Sequence, residues 1–199
     1  AFLIRDNIRH RNDILNAYLD AIDAAREEII IANAYFLPGV RFGRALYAAA
    51  QRGVRIIVLL QGKTDHQLLR YATQALYATA LQAGIRVFEY ERSFMHAKVA
   101  VIDGHWATVG SSNIDPFSLL LAKEANVVVR DDGFGGELRS SLLAAIAHGA
   151  RELPPEEQSR LPWHARLTRW LAYGLVRAMV GIAGYGQRHW NSREVRPKD

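Results

Sequence analysis

The sequence predicts an α/β fold: a mixed β-sheet flanked by helices on both faces, followed by an amphipathic helical tail. Three observations carry this. Apolar, β-forming runs at 29–32, 54–60 and 85–90 alternate with stretches of helical periodicity. Two further runs, 99–102 and 106–109, flank Asp103-Gly104, a strong hairpin signal because glycine accepts the positive φ of a tight turn. Beyond residue 150 the composition turns basic and aromatic.

The elements follow in order. Asn12 or Asp13 caps a helix in which Ile14, Tyr18 and Ile22 recur at four-residue spacing. A buried-type strand at 29–32 ends near Tyr35, before the Pro38-Gly39 loop. A helix over about 41–52 stops at Gly53 and leads into the strand 54–60; Gln61-Gly62-Lys63 then turns into a longer helix over about 65–83, stopped by Gly84. The strand 85–90 precedes the hairpin, and a third strand of that region covers 125–129. Asp131 or Asp132 caps a last helix with Leu138, Leu142 and Ile146 on one face and Gly149 at its end. Helix–strand alternation followed by a hairpin is the pattern of a mixed sheet covered on both sides. Tyr35 and Gln61 fall near strand ends, where open sheets place ligands.

The hairpin carries the chemistry. Its residues read His96-x-Lys98-x4-Asp103-x6-Gly110-Ser111-x-Asn113, with a carboxylate downstream at Glu124. Side chains alternate along a strand, so His96 and Lys98 share a face about 7 Å apart. A two-residue turn pairs 102 with 105 and sets Ser111 opposite His96; a three-residue turn reverses that relation. Asp103 lies on the opposite face and is read as structural. A neutral imidazole attacks phosphorus without charge repulsion, and an imidazolium protonates a leaving oxygen. Lys98 neutralises non-bridging oxygens, while the Ser111 hydroxyl and Asn113 amide add preorganised donors. Glu124 is placed to hold the other ring nitrogen of His96. This scheme needs no metal or other cofactor, and no Cys/His cluster in the sequence suggests zinc.

These residues resemble the signature of the phospholipase D superfamily. The resemblance implies that His96 is nucleophile or general acid, that Lys98, Ser111 and Asn113 line the phosphate site, that Glu124 orients the histidine, and that Asp103 and Gly110 belong to the motif as structural positions. The surrounding words Ala32-Asn-Ala-Tyr-Phe-Leu-Pro38, His105-Trp-Ala-Thr-Val-Gly-Ser-Ser-Asn-Ile-Asp-Pro116 and Leu121-Ala-Lys-Glu-Ala-Asn126 are most similar to the second half of bacterial cardiolipin synthases. The likeness covers about residues 1–150. It implies phosphatidyl transfer from phosphatidylglycerol through a phosphohistidine, at the cytoplasmic face of a bacterial inner membrane. A nucleic-acid phosphodiesterase working as a homodimer is the alternative. In the family, active sites form between two motifs, and this chain holds one. A second motif half, from one longer chain or a second copy, is therefore an expected partner. The first residue is not methionine, which fits an excised piece.

Charge supports the lipid reading. The chain has 199 residues, no cysteine and a net charge of +5. Residues 158–198 hold eight Lys/Arg and one acid, Glu194, so the remainder leans acidic and lacks the basic face nucleic acid demands. A domain boundary falls at 151, dividing a catalytic half-domain (1–150) from the tail (151–199). Around a helix over 166–188, Arg166, Arg169, Tyr173, Arg177 and Arg188 share one stripe, opposite Leu167, Leu171, Leu175, Met179 and Ile182. Trp163, Trp170, Tyr173, Tyr185 and Trp190 suit headgroup depth. The stretch is too short and charged to span a bilayer and fits a helix lying in an anionic membrane surface; a helix packed on its own domain or on a missing partner domain is the alternative. Gly174, Gly181, Gly184 and Gly186 weaken a long helix enough to allow a broken or hairpin-like element.

Overall fold

The computed structural model describes residues 1–6, 9–63 and 66–194, with side chains described as far as Gly181 except Leu120 and Ser159. Its elements are β1 (Phe2–Arg5), α1 (Asp13–Ala24), β2 (Glu28–Asn33), α2 (Val40–Gln51), β3 (Arg55–Gln61), α3 (Gln67–Gln74), α4 (Tyr77–Gln82), β4 (Arg86–Tyr90), β5 (Lys98–Ile102), β6 (Trp106–Gly110), α5 (Pro116–Leu120), β7 (Glu124–Arg130), α6 (Asp132–Gly149), β8 (Ala150–Glu152), α7 (Pro155–Ser159) and α8 (Trp163–Glu194). The eight strands form one sheet in the order β1-β7-β6-β5-β2-β3-β4-β8. Pairing is parallel from β2 through β3 to β4 and antiparallel elsewhere. The sheet is mixed, as the alternation of runs requires.

Both faces are covered. Ile29, Ile31, Ile56, Val58, Ala100 and Ile102 pack against Ile14, Tyr18 and Ile22 of α1 and Phe42 and Leu46 of α2. The intervening residues Ile30, Ala32, Ile57, Leu59 and Val101 turn to the other face and meet Leu138, Leu142 and Ile146 of α6. Central strands buried on both sides must be apolar at every position, which is why their runs show no alternation.

Four features differ from the sequence expectation. The helix anticipated over 65–83 is two helices, α3 and α4, separated at Ala75-Leu76; residue 65 lies outside the described residues. The short edge strands β1 and β8 and the single-turn helices α5 and α7 are additional, because elements of three to five residues leave no periodicity to read. The compositional boundary at residue 151 falls inside β8, and Leu153 beyond it is buried in the core. The tail is one helix, neither broken nor a hairpin; the glycines at 174 and 181 meet nothing within 4 Å, so they sit on its open side without forcing a turn.

Helix α8 packs on its own domain through Ala172, Val176 and Val180, which meet Leu37 and Ala72 of α3. Tyr173 and Arg169 lie partly on that packed side. The leucine stripe faces outward: Trp163, Leu167, Trp170, Leu171, Leu175 and Met179 are each 45–74% exposed. The side chains of Ile182, Tyr185, Arg188 and Trp190 lie outside the described residues. Among the described residues no helix is long and apolar enough to cross a membrane.

Candidate active site

The hairpin between β5 and β6 sets the site. Asp103 and Gly104 both take positive φ, 50° and 65°, and the His105 amide donates to the Ile102 carbonyl (3.2 Å). Pairing then resumes with Ile102 opposite Trp106, so His105 is an extra residue and the turn holds three. The register consequently differs by one from the two-residue expectation. Ser112 rather than Ser111 lies level with His96, and Ser112 is buried while Ser111 is exposed. Asp103 is pinned by its own chemistry: its carboxylate accepts from the backbone amides of Arg26, Glu27 and Glu28 (2.8–2.9 Å). Burial pushes its pKa up, but these three amides outweigh burial and hold it below the usual carboxylate range. The turn is thereby locked to the start of β2.

One segment holds both motif loops. Asn33, at the end of β2 and fully buried, pairs with Lys98 across the ladder, and its Oδ1 accepts from the Ile114 amide (3.2 Å). Just beyond, the Ala34 amide donates to the Ala97 carbonyl (2.9 Å) and the Leu37 amide to the Ile114 carbonyl (2.7 Å). The loop before β5 is held from β3, where Gln61 Oε1 accepts from the Met95 amide (2.6 Å). The loop after β6 is held from β7: Asn126 donates to Thr108 Oγ1 (3.1 Å) and accepts from the Ser112 amide (3.4 Å). Gly110 passes so close to Asn126 and the Ala125 carbonyl that a Cβ would collide with both, which is why the motif requires glycine there.

Within this frame the charged groups gather. Lys98 is 8% exposed, with its ammonium on the His96 carbonyl (3.3 Å). Burial draws its pKa down, and the nearby carboxylates of Glu124 and Asp115 act in the opposite direction. Glu124 accepts from the Ser111 hydroxyl, which in turn accepts from the Ala125 amide (3.1 Å). Arg5, 3% exposed on β1, is paired in register with Glu124 and donates to the Ala122 carbonyl. Asp115 caps α5 through the Phe117 and Ser118 amides (2.7 and 3.0 Å), and burial pushes its carboxyl up.

The imidazole of His96 is exposed; its ring neighbours are Phe94, stacked at 6.0 Å, and Tyr35, edge-on at 6.5 Å. No hydrogen bond joins it to Glu124 among the described residues; that carboxylate is taken by Ser111. Asn113 is half-buried with its Oδ1 enclosed and unpaired, as are Asn33 Nδ2 and, in the core under α1, the Tyr18 hydroxyl. The structure therefore groups Lys98, Ser111 and Glu124, places Asn113 in the loop two residues after Ser111, and leaves the His96 ring open to solvent. An accessible imidazole two residues from a buried cation suits an anionic phosphoryl group. No group of three or more His, Asp or Glu able to hold a metal is present among the described residues.

Sequence reasoning passed over Asn33, Asn126, Asp115 and Arg5. The first two carried a usable signal: a lone polar residue at the end or middle of an apolar strand must find a buried partner.

Residues 18–144 match the family described as cardiolipin synthase, PLD-like domain. Over 185 residues the chain is 43% identical to cardiolipin synthase B of Escherichia coli, covering 93% of this chain and 45% of that protein. It thus spans about half the length of the curated relatives it matches. Among solved structures it is similar to Nuc, a phospholipase D family member from Salmonella typhimurium (TM-score 0.64, 19% identity, 77% of this chain and 96% of that one). It is also similar to phosphatidylserine synthase of Haemophilus influenzae (TM-score 0.70, 12% identity, 92% and 46%). At these identities the structural likeness is one of fold.

Proposed function

The chain belongs to the cardiolipin synthase, PLD-like domain family, and from that premise we propose that it supplies one of two His-Lys-Asp motifs to a phosphatidyltransferase making cardiolipin from phosphatidylglycerol. The observation that carries the reading is the exposed His96 imidazole two residues from the buried ammonium of Lys98, in a chain matched along nearly its whole length by cardiolipin synthase B.

The chemistry runs in two balanced steps. An imidazole nitrogen of one motif attacks phosphorus of a phosphatidylglycerol; the N–P bond forms, the P–O bond to glycerol breaks, and the other motif's imidazolium gives the glycerol its proton. The resulting imidazole then takes the proton of a second phosphatidylglycerol hydroxyl, which attacks phosphorus as the N–P bond breaks. His96 serves as either nucleophile or acid. Lys98, Ser111 and Asn113 stabilise the non-bridging oxygens, and Glu124 is the carboxylate that fixes a motif imidazole in the required tautomer. The second motif comes from the other half of a longer chain or from a second copy.

The exposed face of α8 supports a peripheral site at the anionic, cytoplasmic face of a bacterial inner membrane. Its apolar side chains stand outward, flanked by exposed Arg166 and Arg177. His96→Ala in the full-length protein is expected to lower phosphatidyl transfer by roughly a thousandfold or more, with an unchanged circular dichroism spectrum because the ring is exposed. Retained turnover, or cleavage of single-stranded DNA without lipid turnover, would overturn the proposal.

A further inference from the structure

Between α3, α5 and α8 lies a cavity of about 350 Å³ lined by His66, Leu68, Leu69, Phe117, Val176 and Met179, together with the neutral Gln67. We propose that this groove takes an acyl chain of the phospholipid donor, an inference that rests on the phosphatidyl-transfer reading above. Among the described residues no Lys, Arg, Asp or Glu lines it, which disfavours a headgroup or a nucleotide phosphate and suits an uncharged, slender ligand.

Its position links it to the motif by two routes. The Tyr35 ring stands 5.6 Å from that of His66, which lines the groove, and 6.5 Å from that of His96. On the other side, Phe117 sits on α5, the helix capped by Asp115 directly after the Asn113 loop. Tyr35 thus stands between His96 and one wall of the groove, and Phe117 joins another wall to the motif loop. The far end is equally specific. Met179 belongs to the groove and also to the outward stripe of α8, being 45% exposed, and Leu68 on the opposite rim is 38% exposed. An acyl chain in the groove would thus meet Leu68 and Met179 at its exposed rims and Leu69, Phe117 and Val176 within.

Two measurements test this in the full-length protein in mixed detergent micelles, where docking to a bilayer is not limiting. First, dihexanoyl and dioleoyl phosphatidylglycerol compete in one mixture. The native protein is expected to prefer the longer chain, and Met179→Trp or Leu68→Trp, which fill the groove from its exposed rims, are expected to reduce that preference at least about tenfold. That is the effect of losing two buried methylenes at about fourfold each. Second, phosphatidylglycerol carrying a diazirine at its acyl terminus is expected to label residues 66–69 or 176–179. The label needs no active variant, so it stands even where a tryptophan disturbs folding. An unchanged preference in both variants, or label confined to the outer stripe at Trp163 and Leu167, overturns the groove while leaving phosphatidyl transfer intact. Failure of the native protein to turn over either lipid overturns both.

Discussion

The motif end of the sheet and helix α8 are held by opposite means. At the motif, buried polar side chains make directional bonds to particular backbone groups: Asn33 to Ile114, Asn126 to Ser112 and Thr108, Asp103 to three successive amides. Helix α8 is held mainly by apolar contact through Ala172, Val176, Val180 and Tyr173, with one directional bond from Arg169 to Gln158 (2.9 Å), and its leucines point away from the protein. Directional bonds fix where an atom sits; apolar contacts fix only that surfaces meet. The buried polar groups are concentrated where the proposed phosphoryl chemistry needs position, and the exposed apolar area lies on α8, where the proposed membrane contact needs only adhesion.

The contrast breaks most readily at Asn126. Asn126→Leu removes its bond to the Ser112 amide in the loop and its bond to the Thr108 hydroxyl in β6, leaving a buried amide and hydroxyl unpaired, and is expected to cost about 2–3 kcal/mol in urea unfolding. A loss below about 0.5 kcal/mol would show that packing alone holds the loop.

A smaller effect, about 1 kcal/mol at neutral pH, is expected for Asp103→Asn, which tolerates the positive φ but weakens the grip on three amides. The folded carboxyl titrates below its unfolded value of about 3.9, so its stabilisation is complete above that value and disappears as pH falls through the lower, folded pKa. The difference between native and variant proteins should therefore close in acid below about pH 4. A gap that persists there would assign the effect to shape instead of charge.

The smallest change in stability, within about 0.5 kcal/mol, is expected for Leu171→Glu and Leu175→Glu, because both side chains are already exposed. The same variants should nevertheless sediment less with phosphatidylglycerol vesicles. Deleting α8 is a blunter test, since it also uncovers Leu37 and Ala72. Unfolding of either glutamate variant would mean that the stripe packs on the protein itself.

Much of the fold was legible because its information is local. Runs such as 29–32 and 54–60 are apolar at every position only when both faces are buried, and Ile14, Tyr18 and Ile22 mark one helix face by spacing alone. The motif residues were legible for a related reason: their spacing follows one hairpin. What escaped depends on distant partners. The bond from Asn33 to Ile114 joins residues 81 apart in sequence, and β1 exists only because β7 offers it an edge. The hairpin register escaped for a subtler cause, since Asp103-Gly104 marks a tight turn while leaving open whether His105 belongs to the strand or to the turn. In the tail, periodicity located the arginine and leucine stripes of α8 but passed over the row Ala172, Val176 and Val180 between them, which is the face that packs on the domain.

The short segment after β2, bonded through Ala34 to the loop before Lys98 and through Leu37 to the loop after Asn113, has a consequence in time. Two loops that would otherwise wander independently surrender their freedom once, when the chain folds. In the proposed phosphatidyl transfer, the entropy of bringing them into mutual position would then be absent from each turnover, and a substrate would meet groups already fixed relative to one another.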